Sequence, residues 1–305
     1  MSWLIVGTVP LEEFPLTQGP CQLTGGLLKV AGHALSVGRG TAALAAAATI
    51  ASDWLGIQAP CALLAGDIGI GTGSRLVYKH LMDLMRRSVF QGITFHYLLP
   101  DLDWHNRILM AMEDLSSRPM LVADAGYMYV AKMSGFSRHY DLFTPDVGEM
   151  AFLADENAPH PFYTRGFLLQ EEDRVVELIR RAYEHQNAAR FLLVKGCRDY
   201  VAEDGVVLDI IEEPRVESME AIGGTGDTLT GITSALLSSG YPLDRACSLA
   251  AKANRMMGFL AQPTPASKVG DLLGFLPKAL ELTLNEATVG DPPAFQAQGD
   301  GLEVS

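Results

Sequence analysis

What this chain lacks narrows its function before any motif is read. Its four cysteines, Cys21, Cys61, Cys197 and Cys247, stand far apart and form no Cys-x-x-Cys pair. That excludes a disulfide framework and a cysteine-rich zinc site, and suits a reducing compartment. Basic residues are in deficit, with 23 Lys and Arg against 36 Asp and Glu and a net charge of −13. Neither nucleic acid nor an anionic membrane is expected as a partner. Long apolar runs are absent, so no transmembrane helix is expected. The segment Met1-Ser2-Trp3-Leu4-Ile5-Val6 has no basic flank and soon meets Pro10, Glu12 and Glu13, which does not read as a signal peptide. No repeat, heptad or basic patch appears. These absences lead to the expectation of a cytoplasmic protein that works on small molecules.

What is present is a chain of 305 residues, 48% hydrophobic and 19% charged, enough for one large core. Apolar strands alternate with helical stretches, which predicts an α/β fold of three α/β/α layers around a mainly parallel sheet. Strands are expected at 27–32, 61–65, 95–99, 119–124 and 191–194. Helices are expected at 42–54, 76–87, 104–116, 170–186, 243–261 and 272–282, the last kinked or restarted by Pro277. Asp204-Gly205 predicts a hairpin between 200–202 and 206–211. One catalytic domain is expected over 1–285, with 1–26 an irregular arm holding at most one strand. Residues 155–166 read as a proline-bearing loop, and 286–305, rich in Gly, Pro, Gln and Asp, as a disordered tail.

The most informative stretch is Ala221-Ile222-Gly223-Gly224-Thr225-Gly226-Asp227-Thr228-Leu229-Thr230-Gly231. A glycine-rich turn feeding a helix presents unpaired N–H groups and a partial positive charge to one point, the chemistry that binds phosphate. Asp227 is odd there, because an anion repels its carboxylate. Aspartate is an ordinary helix cap, but a cap alone does not require this run of glycines. Glycines that cradle phosphate, with Asp227 taking a proton from an attacking hydroxyl, account for both features.

Other candidates are weaker singly. Gly69, Gly71 and Gly73 form a second glycine-rich turn, without the acid that a dinucleotide fingerprint needs after the next strand. Asp124 ends a strand, where open α/β sheets place ligands, and is equally a turn former. Glu149 lies in the first helical turn after Thr144-Pro145-Asp146, a common capping position. Lys195-Gly196 follows an apolar strand, well placed to meet a nucleotide phosphate.

Together these residues resemble a known family. Gly223-Gly224-Thr225-Gly226-Asp227-x-Leu229-Thr230-Gly231 resembles the signature of the ribokinase-like superfamily, and most nearly its NAD(P)H-hydrate dehydratase (YjeF-related carbohydrate kinase) branch. Thr144-Pro145-Asp146-x-Gly148-Glu149-Met150 is similar to that branch's Thr-Pro-His-x-Gly-Glu-Met, and Leu193-x-Lys195-Gly196 to its lysine segment. The similarity spans roughly 27–282, dense in 141–153 and 191–260. It implies a ribokinase-like fold, ADP or ATP with Mg²⁺ as cofactors, and phosphorylation of an NAD(P)H-hydrate hydroxyl followed by loss of phosphate. It implies Asp227 as the base, an anion hole at Gly224, Thr225 and Gly226, and Glu149 holding Mg²⁺-bound water. Nucleotide contacts would fall on Lys195, Gly196, Cys197, Arg198, Asp199, Gly226 and Asn254. Substrate contacts would fall on Thr41, Gly69, Asp124, Asp146 and Asp227. Homo-oligomers are also common among such relatives.

The chain departs from the pattern at Asp146, where the family has histidine, and at Tyr127, where it has asparagine. Both favour an alternative, a kinase that phosphorylates a small alcohol and stops there. A non-catalytic nucleotide sensor is the remaining reading, and it has no use for Asp227.

Overall fold

The structure is a computed structural model that describes residues 2–157 and 174–290, with 286–290 described by backbone alone. An eleven-stranded sheet runs β11-β10-β9-β8-β7-β6-β1-β5-β2-β3-β4. Its centre is parallel: β9 (Phe191–Val194), β8 (Leu142–Phe143), β7 (Met120–Ala123), β6 (Phe90–His96), β1 (Ser2–Val9) and β5 (Cys61–Gly66). Antiparallel strands extend both edges, β10 (Asp199–Glu203) and β11 (Val206–Ile211) on one side. β2 (Thr17–Thr24), β3 (Leu27–Val30) and β4 (His33–Ser36) extend the other.

The parallel strands are apolar on both faces because helices cover both. Along β1, Trp3 and Ile5 join one core cluster and Leu4 and Val6 the other. The first cluster is closed by α1 (Thr41–Trp54), α7 (Thr225–Ser238), α8 (Leu243–Ala261) and α10 (Leu276–Gly290). The second is closed by α2 (Thr72–Met85), α3 (Leu102–Glu113), α4 (Gly126–Met133), α5 (Val147–Ala154) and α6 (Val175–Glu184). A short α9 (Val269–Leu272) precedes α10. The alanines of α1 let α7 approach closely, and a Cβ at Gly231 would run into the Leu44 carbonyl.

The expected α/β/α fold with a mainly parallel sheet is what the chain adopts. Several local expectations need correction. Residues 1–26 are not an irregular arm: β1 is a central strand, buried from Leu4 to Val9, and β2 flanks β5. Four consecutive apolar residues at the N-terminus are the pattern of such a strand. The strand expected at 27–32 stops at Val30, because Ala31 and Gly32 take positive φ of 47° and 88° to turn the β3–β4 hairpin. The strand expected at 95–99 is β6, ending at His96. The expected tail begins too early, since 286–290 continue α10; the rest of it lies outside the described residues, as do most of the 155–166 loop and the start of the 170–186 helix. Pro277 restarts the chain in the first turn of α10.

Candidate active site

The carboxyl ends of β1, β6, β7 and β9 meet the N-termini of α1 and α7 at one place, where open parallel sheets put their ligands. Gly224 caps α7 in the left-handed region, φ 101°, with no side chain capping the helix. A Cβ there would press within about 3.0 Å of Arg39 and Val269, so both the turn and the close packing require glycine. Thr225, Gly226 and Asp227 follow, partly exposed, and Thr225 ties its hydroxyl to the Ile222 carbonyl at 3.2 Å. The first turn of α7 is thus open to an anion.

Asp227 is not the cap. Its Oδ2 accepts from the Gly40 N–H at 2.5 Å, and its Oδ1 lies 3.0 Å from His96 Nε2. Burial opposes its charge, but His96, Lys195 and the Gly40 N–H outweigh burial and hold the carboxyl down at about 2. His96 is fully buried, with Nδ1 2.9 Å from the Thr41 hydroxyl. Sequence reasoning missed it, because a strand drawn through Leu99 buries His96 mid-strand. The available signal was its place at the end of an apolar run, the same signal that singled out Asp124.

Lys195 turns inward. Its Nζ donates to both Asp124 oxygens, at 2.8 and 3.0 Å, and lies 3.6 Å from where a Cβ of Gly226 would stand. Burial would lower its basicity, but Asp124, Glu149 and Asp227 raise it above the ordinary lysine value. Asp124 is 1% exposed, and also accepts from the Ala125 N–H and the Thr230 hydroxyl. Asp124 also lines a cavity of the site, and its oxygens place Lys195 beneath the Gly224–Gly226 turn. His96, Asp124 and Asp227 lie within 4.8 Å of one another, a spacing that suits a metal ion. The Lys195 ammonium supplies the positive charge there.

Asp146 and Glu149 form a reciprocal capping box at the start of α5, Glu149 N–H to Asp146 at 2.7 Å and Asp146 N–H to Glu149 at 2.8 Å. The bland expectation for Glu149 holds, yet its carboxylate also borders both cavities of the site. Burial, then the Asp146 charge beside it, push the Glu149 carboxyl up to about 8. Two neighbouring carboxylates at a cavity edge fit a hydrated Mg²⁺, which prefers one or two carboxylates plus phosphate.

Other expected contact residues also carry structural hydrogen bonds. Asp199 accepts from Arg255 Nε at 2.7 Å and from the Gly196 N–H, while Arg255 also binds the carbonyls of Gly196 and Cys197. Asp199, which also lines the cavity, thereby braces the Gly196–Cys197 turn. Arg198 pairs with Glu212 on the surface. Asn254 accepts from Thr228 and donates to the Thr225 carbonyl, so its amide secures the anion-hole turn. Thr41 is buried, donating to the Thr8 carbonyl at 2.8 Å. The Gly69 N–H is given to Asp67, together with those of Ile70 and Gly71. Tyr127 is wholly buried, stacked on Phe95 at 4.1 Å, so its difference from the family says nothing about the substrate.

Two cavities meet at this cluster. One of about 700 Å³ is lined by Lys195, Gly196, Gly224, Gly226 and Asn254. The other, about 790 Å³, is lined by Arg39, Thr41, Tyr97, Leu99 and Pro100. Tyr97, Ala125, Tyr129 and Glu149 border both. Tyr97 and Ala125 hold positive φ of 48° and 52° at this junction, strain of the kind that concentrates at functional sites.

Residues 100–271, more than half of the chain, match the sequence profile of the NAD(P)H-hydrate dehydratase (carbohydrate kinase) family. The chain belongs to that family. An uncharacterised protein of Methanocaldococcus jannaschii is 40% identical over 220 residues, 72% of this chain and 90% of the relative. The bifunctional NAD(P)H-hydrate repair enzyme of Hyperthermus butylicus is 32% identical over 128 residues, 41% of this chain and 23% of that larger protein. Among solved structures, the ADP/ATP-dependent NAD(P)H-hydrate dehydratase of Bacillus subtilis, crystallised with ATP and Mg²⁺, superposes with TM-score 0.55 at 14% identity. That match covers 92% of this chain and 89% of the other. A ribokinase-like protein of Enterococcus faecalis gives TM-score 0.57 at 15% identity, covering 92% and 87%. At such identities these structures share the fold. From the motif stretches, Asp146–Glu149, Lys195, Gly196, Gly224–Asp227 and Leu229 line the 700 Å³ cavity here.

Proposed function

We propose that this protein transfers a phosphoryl group from ATP or ADP to a hydroxyl held against Asp227, and that the acceptor is an NAD(P)H hydrate. The observation that carries this reading is the Asp227 carboxylate, held in the first turn of a helix whose N-terminus no side chain caps, on the wall of the 700 Å³ cavity. The nucleotide phosphates would lie in the 700 Å³ cavity, with the transferring group at Gly224, Thr225 and Gly226. Asp227 takes the hydroxyl proton as the acceptor oxygen bonds to phosphorus and the bond to the nucleotide's leaving oxygen breaks. The α7 N–H groups and Lys195 balance charge on the transferring group. Glu149, with Asp146 beside it, would hold Mg²⁺, which neutralises the nucleotide's phosphates. In the hydrate, departure of the new phosphate, with loss of a proton from the adjacent ring carbon, restores the dihydronicotinamide.

One observation favours a second reading, a kinase of a small alcohol. The acceptor-side cavity has Arg39 as its one cation among the described lining residues, against Asp67 and Glu149, and is otherwise largely apolar. That suits a small neutral alcohol better than a dinucleotide bearing pyrophosphate. Incubation with nucleotide, Mg²⁺ and either NADH hydrate or a panel of alcohols tests both. Recovery of dihydronicotinamide absorbance supports the dehydratase; a stable phosphoester detected by ³¹P NMR supports the kinase. Nucleotide left unconsumed with every acceptor overturns phosphoryl transfer.

A further inference from the structure

His96 is a buried polar side chain at this site for which the proposed chemistry has no use. Its hydrogen bonds can be counted. The Thr41 hydroxyl has one hydrogen, and the Thr8 carbonyl, 2.8 Å away, can only accept it. Thr41 Oγ1 therefore accepts from His96 Nδ1–H, at 2.9 Å. The tautomer is thus fixed from behind, by main chain. Across the ring, Nε2 stands 3.0 Å from Asp227 Oδ1 and 4.0 Å from Asp124 Oδ2. A bare ring lone pair facing a carboxylate is repulsive, so one proton lies between Nε2 and Oδ1.

Asp227 and Asp124 bring two negative charges against the one positive charge of Lys195, so a proton between His96 and Asp227 lessens the excess. Close packing fixes the ring's partner: a Cβ at Gly7 of β1 would stand 2.8 Å from the Thr41 side chain and run into the His96 carbonyl, so glycine is required there.

We infer that His96 is a positioning residue for Asp227: with the Gly40 N–H on the other oxygen, it pins the carboxylate plane so that its remaining lone pairs face the acceptor. This rests on the phosphoryl-transfer reading for its catalytic consequence, but not for its geometry. Asp227 Oδ2 is held by a backbone donor on α1 and Oδ1 by a ring donor on β6. The base is therefore located by three elements at once. Loss of that fix misplaces a reacting oxygen, and a misplacement of about 1 Å can cost roughly a hundredfold in rate.

The test compares His96→Gln, whose amide nitrogen reaches the Nε2 position, with His96→Asn, whose amide reaches only the Nδ1 position. Nucleotide consumption is followed with Mg²⁺ and the acceptors above, or with water as acceptor if none is used. His96→Asn should lower kcat about a hundredfold at unchanged nucleotide KM, and His96→Gln should recover a measurable part of the loss, although the two melt alike. Losses that are equal in the two variants and track melting temperature, or that fall on KM, overturn the inference. A second arm needs no turnover. ¹⁵N NMR of histidine-labelled protein, with His96→Gln to assign the signals, should show N–H at both ring nitrogens in wild type and at Nδ1 alone in Asp227→Ala. If no acceptor, water included, is phosphorylated, the functional reading falls and the spectrum alone judges His96. An unprotonated Nδ1, or a spectrum indifferent to Asp227→Ala, overturns the positioning role.

Discussion

Two glycine-rich turns in this protein lead into helices of 14 residues, each through a left-handed glycine, Gly71 at φ 84° and Gly224 at φ 101°. Both have an aspartate close by, yet they end in opposite states. In the turn before α2, Asp67 folds back so that Oδ1 accepts three N–H groups, from Gly69, Ile70 and Gly71, while Oδ2 takes the N–H and hydroxyl of Ser74. Burial opposes its charge, but those donors prevail and lower its pKa. That anion site is filled by the chain itself. Before α7, Asp227 lies past the cap and its carboxylate turns sideways to α1 and β6, so the helix N-terminus stays open. A glycine-rich turn at a helix start is an anion site in either case. Whether a ligand can use it depends on which side of the cap the acid occupies.

The largest effect expected is at the open turn. Asp227→Asn should lower kcat by ~10²–10⁴, the range for losing a general base, while nucleotide affinity measured by calorimetry stays close to wild type. Unchanged turnover would make Asp227 a structural group like Asp67, and the two turns would differ only in detail. The same variant has a pH signature. Asp227 has a folded pKa near 2 against an ordinary 3.8, so its stabilisation is present above the unfolded value and is lost as pH falls through the folded one. Wild type should exceed Asp227→Asn by about 2 kcal/mol above roughly pH 4, and the gap should close towards pH 2. Denaturant midpoints across that interval measure it.

Next in size is the floor of the open turn. Lys195→Ala leaves Asp124 buried and uncompensated, which costs about 3–5 kcal/mol of stability. The double variant with Asp124→Ala should lose less than the sum of the two single losses, the mark of a coupled pair. Additive losses in thermal unfolding would show that the pair is not what shapes this turn.

The sequence made the open turn legible and the filled one misleading. Gly-Gly-Thr-Gly-Asp favours an anion site over a plain helix cap, and the mainly parallel sheet followed from apolar strands alternating with helices. Gly69 was expected to touch substrate only through the family resemblance; the fold shows Asp67 inside its turn. Lys195 and Asp124 were each read as facing a ligand, but their pairing spans 71 positions in sequence, and no local pattern encodes it. Arg255 was invisible for the same reason, since helical periodicity places it without naming Asp199 as its partner. His96 was lost to a boundary error of three residues at the end of β6.

The filled turn offers the converse experiment. Asp67→Ala removes a charged acceptor from five donors, and should destabilise the protein by about 1–3 kcal/mol, as loss of a helix cap with charged hydrogen bonds does. The vacated N–H groups should then gain weak affinity for inorganic phosphate, seen as a larger phosphate-induced rise in melting temperature than wild type shows. A variant as stable as wild type and equally insensitive to phosphate would break the comparison, because the turn would then not be an anion site at all.

The smallest effect concerns what approaches the open turn. Asp146 caps α5 at the edge of the nucleotide-side cavity, where the family pattern carries histidine, and it is exposed. For an unpaired charge about 6 Å from a phosphate, an effective dielectric near 20 gives roughly 3 kcal/mol of repulsion. Exposure moves the effective value towards that of water, where the same pair costs about 0.7 kcal/mol, a few-fold in affinity. Asp146→His also gives up the cap, at about 1 kcal/mol of stability. If the acceptor is an NAD(P)H hydrate with its pyrophosphate, relief of that repulsion should outweigh the loosened Glu149 and raise repair a few-fold at temperatures well below melting. If the acceptor is a small neutral alcohol, the change removes nothing that repels it and lowers native turnover by loosening Glu149, the partner in the capping box. Recovery of dihydronicotinamide absorbance, read for both proteins at matched fractions folded, separates the two. Efficient repair by wild type that Asp146→His abolishes would mean that this carboxylate assists the acceptor, and repulsion would be the wrong account of its place beside the open turn.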